Sequence, residues 1–160
     1  MSNLSTPTGG CAEATTAKEA AFRIDYPLSA ARNTRVVALD PEAEAMVRRA
    51  SELEWGQARF FSVADPGHTL IETTGVPVDL DEVLNDTNTV VLVAVEGSNA
   101  EAVSTIGAAC KVRGIMTAGL VVTPGALTSE ALLHLRPHAR ILLVPADEDD
   151  LVELLRATRA

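Results

Sequence analysis

VVLVAVEGSNAEAVSTIGAAC, Val90 to Cys110, sets an unbroken apolar run against a glycine turn and then a helical pattern. A run of Val and Leu without alternation is what a strand buried on both faces presents, and such strands belong to parallel sheets covered by helices. Past Glu96 and Gly97 the period changes. Ala102, Val103, Ile106, Ala109 and Cys110 fall at three- and four-residue spacings and mark a buried helical stripe. Ser98 and Glu101 have the S-x-x-E form of a capping box, so the helix is expected to open on Ser98 and Asn99. Strand, glycine turn and helix make a junction that holds a phosphate in many α/β proteins.

The same alternation continues on both sides. Upstream, RVVAL from Arg35 is a strand, Asp40 and Pro41 are N-cap and first helical residue, and Ala43, Met46, Val47, Ala50 and Leu53 form one apolar face. Gly56 is expected to end that helix, and ARFFSV after it is a second strand. The stretch from Ala64 to Val78 carries Pro66, Gly67 and Gly75 and is the least regular, with a short extra strand through Thr69 to Thr73, and a brief helix opened by Asp79 and Glu82 follows it. Downstream, Gly114 closes the central helix, IMTAGLVV is a fourth strand, TPGALTSEALLHL a turn and helix, and RILLV a fifth strand. Asp147 caps a last helix through Leu151, Leu154 and Leu155.

Strands alternating with helices predict an α/β fold: a three-layer sandwich whose five-stranded, mainly parallel, Rossmann-like sheet has helices on both faces. It is expected to occupy residues 35–160 as a single domain. Residues 1–21 are rich in Ser, Thr, Gly and Ala, which predicts a flexible tail, and Phe22, Ile24, Tyr26 and Leu28 alternate in an arm or edge strand over 22–34.

Composition narrows the function classes. Of 160 residues 47% are hydrophobic but only 3% aromatic, so the core must be built from Val, Leu, Ile and Ala. Thirteen Lys and Arg against 22 Asp and Glu give a net charge of −9, which disfavours a nucleic-acid partner. No apolar run is long enough to cross a bilayer and no export signal opens the chain, so a cytoplasmic protein without a membrane partner is expected. Cys11 and Cys110 have no metal-ligand spacing, and Cys110, on the helical stripe, is expected to be a buried inert thiol.

In doubly wound sheets ligands bind beyond the carboxyl ends of the strands. The candidate ligand-binding residues at that edge are Asp40, His68, Gly97, Ser98, Asn99, Thr123 and Gly125. A helix N-terminus favours an anion, yet Glu96 borders Gly97, Glu101 competes for the first amides, and no lysine accompanies them. Asp40 and Asp147 suit N-caps better than a receiver-like Mg²⁺ site, which would need paired acids after the first strand. His68 has no identifiable nucleophile beside it, and His134 and His138 flank a helix end. Trp55 is expected to cover the core at a helix end, or else to anchor a partner. No catalytic constellation and no specific cofactor follow.

The run from Leu84 to Pro124 resembles the central part of the tubulin and FtsZ-like GTPase domain. Gly114, Ile115, Thr117, Gly119, Val121, Val122 and Pro124 match that family's GI-T-G-VV-P strand. The family's glycine-rich GGGTGTG-like loop is here EGSNAEA. What the resemblance implies is the fold and self-association, without GTP hydrolysis. Two readings result. One is a non-catalytic domain acting as a homo-oligomer or through a protein partner. The other is a small-molecule binder or enzyme taking a nucleotide or other phosphorylated ligand at the carboxyl edge.

Overall fold

A computed structural model describes residues 31–64, 67–95, 99–122 and 130–160. The first strand, β1 (Thr34–Ala38), is buried along its whole length, and Asp40 then caps α1 (Pro41–Ser51). Pro41 opens the helix at the position where a missing N–H costs nothing. Glu42 and Glu44 lie in its first turn and Arg48 and Arg49 in its last, which is the favourable sense for the helix dipole. The helix stops at Ser51 with Glu52 as C-cap, several residues before Gly56, so Leu53 leaves the expected apolar face and is exposed.

β2 (Arg59–Val63) follows, then β3 (Thr69–Glu72) and β4 (Pro77–Asp79). α2 (Leu80–Leu84) leads to β5 (Thr89–Ala94), α3 (Ala100–Arg113) and β6 (Met116–Val121). α4 (Glu130–Leu135), β7 (Ile141–Leu143) and α5 (Glu148–Ala157) complete the order.

This is an α/β fold on a seven-stranded mixed sheet in the order β4-β3-β2-β1-β5-β6-β7. β1 pairs in parallel with β2 and β5, β5 with β6, and β6 with β7, whereas β2–β3 and β3–β4 are antiparallel. The expected sheet of five mainly parallel strands is therefore corrected in strand number and pairing. The reason is connection length: parallel neighbours need a crossover of about a dozen residues or more, and the links from Val63 to Thr69 and from Glu72 to Pro77 are too short for one.

The strand pleat divides the core. Val37, Phe61, Leu70, Val90, Leu92 and Ala94 face α2, α3 and α4 and pack with Val83, Val103, Ile106 and Leu135. Val36, Ala38, Phe60, Val91, Val93 and Leu120 face the other way and pack with Met46, Val47 and Ala50 of α1 and Leu151 and Leu155 of α5. β5 is buried on both faces at every position, which is why its sequence shows no alternation. Residues 31–160 form one compact unit. The tail expected at 1–21 and nearly all of the arm expected at 22–34 lie outside the described residues.

Candidate functional site

β1 leads through α1 to β2 on one side, and β5 leads through α3 to β6 on the other. The strand order thus reverses between β1 and β5, and it is beyond the carboxyl ends of such strands that this topology accepts ligands. Asp40 follows β1 at that end. Its Oδ1 accepts the Ala43 N–H at 2.7 Å, closing the first turn of α1, and its Oδ2 accepts the Val95 N–H at 2.8 Å, tying that turn to the end of β5. Leu39 N–H also donates to Val93 C=O at 2.9 Å. Two amides that an anionic ligand could have used are held by a carboxylate of the chain itself.

Asn99 is the N-cap of α3, its side-chain oxygen accepting the Ala102 N–H at 3.3 Å. The expected cap was Ser98 with Glu101; the cap falls one residue later because Asn, like Ser, carries an acceptor at the right reach. Gly67 brings the loop after β2 against this helix. With φ +86° it occupies the left-handed region, and a Cβ there would lie 2.8 Å from the Thr105 Cβ and 3.1 Å from the Ala102 carbonyl oxygen, so only glycine fits. His68 beside it is exposed, and its carbonyl accepts the Leu80 N–H at 2.9 Å. Asp40 is thus joined to β5, and the His68 loop is brought to the flank of α3. Gly97, Ser98, Thr123 and Gly125 lie outside the described residues.

The other singled-out side chains have structural partners. The Trp55 indole N–H donates to Ala50 C=O at 2.8 Å at the end of α1, and its ring is tilted on Phe60 at 6.2 Å between centroids. Asp147 and Asp150 form a reciprocal capping box on α5. Cys110 is buried, and its burial pushes the thiol pKa up, against the smaller opposing effects of a hydrogen bond with Thr117 and the charge of Arg113. Among the described residues no group of three or more His, Cys, Asp and Glu could hold a metal ion, and no helix is long and apolar enough to cross a membrane.

The amino edge of the sheet holds features the sequence did not point to. Arg35 is buried on β1, where its guanidinium donates to the carbonyls of Thr34 (3.2 Å) and Gln57 (3.1 Å) while its Nε has no partner among the described residues. Burial, then the nearby Arg59 charge, pushes its pKa down. A cleft of about 320 Å³ also opens here, at the end of α3, lined by Gly107, Lys111, Thr117, His138 and Arg140 among others. Three further clefts run along α1, one against α5 and two against the β2–β3 region. None of these four is lined by Asp40, His68 or Asn99.

No protein-family model and no curated protein matches the chain. Among solved structures, a protein from Burkholderia pseudomallei described as pilus assembly-related is similar at 16% identity, over 79% of this chain and 88% of that one, with a TM-score of 0.47.

Proposed function

We propose that this chain is a three-layer, Rossmann-like domain that acts by protein association, as a homo-oligomer, and not by catalysis. Two separate cores support the layered reading, one under α2–α4 and one under α1 and α5. The observation that carries the functional reading is Asp40: both its oxygens are engaged by backbone amides at the end of the strands where this topology accepts ligands. For a phosphorylated ligand to take that place it would have to displace the carboxylate from Val95 and accept a negative neighbour.

Association is supported from another part of the surface. Val112 on α3 is 86% exposed and Leu133 on α4 is 60% exposed, and these two helices pack on each other over the same face of the sheet. Large apolar side chains left in water on adjoining helices suit a surface that is covered by another protein. The likeness of Leu84–Pro124 to tubulin and FtsZ-like domains points the same way, toward self-association. Light scattering across a concentration range tests the reading: the mass is expected to rise above that of one chain, and a single-chain mass at every concentration would overturn it.

A further inference from the structure

We propose that the cleft at the amino edge of the sheet, at the opposite end of the strands from Asp40, binds a compact phosphate-bearing anion through Lys111, His138 and Arg140. The inference rests on how the cations of this acidic chain are disposed. Arg48, Arg49, Arg59, Arg113 and Arg156 each lie within 3.5 Å of a carboxylate oxygen of Glu44, Glu148, Glu72, Asp81 and Glu153 respectively. Arg32, Arg35, Lys111, Arg136 and Arg140 have no such partner among the described residues, and of these Lys111 and Arg140 line one cleft, together with His138 and with no Asp or Glu. On a surface whose net charge is −9 this is a local positive site bordered by repulsion.

A simpler reading would give Lys111 the task of neutralising the end of α3. The hydrogen bonds leave that task largely done. Gly114, in the left-handed conformation, donates to Lys111 C=O, Ile115 N–H donates to Cys110 C=O at 2.9 Å, and the Arg113 guanidinium donates to Ala109 C=O at 3.2 Å. The last turn is closed by backbone and by Arg113, so the Lys111 ammonium is not needed there as a cap.

The wall of the cleft is also shaped. Gly107 sits inside α3, where glycine costs roughly 1 kcal/mol against alanine. A Cβ at Gly107 would overlap the His138 imidazole and come within 2.8 Å of its Cβ. The missing side chain is what lets His138 lie against the helix beside Lys111. On the other wall Arg140 is anchored through its own N–H, which donates to Thr117 C=O at 2.7 Å. Ammonium and guanidinium supply donors only, and the guanidinium fork matches phosphate oxygens. About 320 Å³ lies at the lower end of small-molecule sites, which suits a pyrophosphate or a small phosphate ester better than a whole nucleotide.

The test is isothermal titration of the full chain with inorganic pyrophosphate at constant ionic strength. Saturable binding of one pyrophosphate per chain is expected, weakened roughly tenfold or more in K111A/R140A, since hydrogen bonds to charged groups carry that much. The variant R48A/R156A removes the same charge from α1 and α5 and should bind as the parent does. No saturable binding, equal binding by K111A/R140A, or equal weakening in R48A/R156A would each overturn the proposal. Circular dichroism of the variants shows that a loss is not unfolding.

Discussion

Asp40 and Val95 are joined by a 2.8 Å hydrogen bond from the amide that follows β5 to the carboxylate that also caps α1, so one side chain links the chain just beyond the ends of two central parallel strands. Removing it loses an N-cap and the carboxylate that accepts the part-buried Val95 N–H. Asp40→Ala is therefore expected to cost about 2–4 kcal/mol in urea unfolding. Asp40→Asn keeps one acceptor oxygen for Ala43 and turns donors toward Val95, so it should fall between. A cost for Asp40→Ala no larger than that of an exposed cap would show that the link to β5 contributes nothing.

Thr34 and Thr89 face each other in the β1–β5 register, both buried, and neither hydroxyl has a hydrogen-bond partner among the described residues. A buried hydroxyl without a partner is a standing cost, and valine has nearly the same shape with a better strand preference. Thr34→Val and Thr89→Val are each expected to stabilise by about 1 kcal/mol. A loss of stability in thermal unfolding for either variant would mean that the hydroxyl is in fact satisfied.

Cys110 gives a pH dependence with a definite sign. Its folded-state pKa is raised by burial, so the thiol of the unfolded chain ionises first and the native state holds the proton longer. The stability it contributes is complete below the ordinary thiol range, near pH ~8.5, and is lost as pH climbs through the raised folded value. Unfolding free energy measured between neutral and alkaline pH should fall less in Cys110→Ala than in the parent. The native thiol should also react slowly with a thiol reagent at pH 8 and rapidly in denaturant. With Cys11 replaced by Ala, fast labelling of the folded protein would contradict the burial of Cys110.

The apolar runs at Arg35–Leu39, Ala58–Val63, Thr89–Val95, Ile115–Val122 and Arg140–Val144 all contain strands, and those buried on both faces, β1 and β5, leave the most continuous hydrophobic signature. β4 has no such signature. It is Pro77–Asp79, a short edge strand with Pro77 and Asp79 exposed, and only pairing with β3 makes it a strand at all. The edge role of Asp40 was legible as a cap, but its bond to Val95 spans 55 positions and leaves no local pattern. The basic cleft was hidden for the same reason. Lys111, His138 and Arg140 come from a helix end and a later loop, and the one local sign was a glycine, Gly107, inside a helix.

Sedimentation velocity on the parent and on the double variant Val112→Asp with Leu133→Asp tests the central reading most directly. Both positions are exposed in the single chain, so the charges should leave the fold intact. The account predicts a sedimentation coefficient that rises with concentration for the parent and stays at the single-chain value for the variant. A parent that sediments as one chain throughout, or a variant that associates as the parent does, would contradict it.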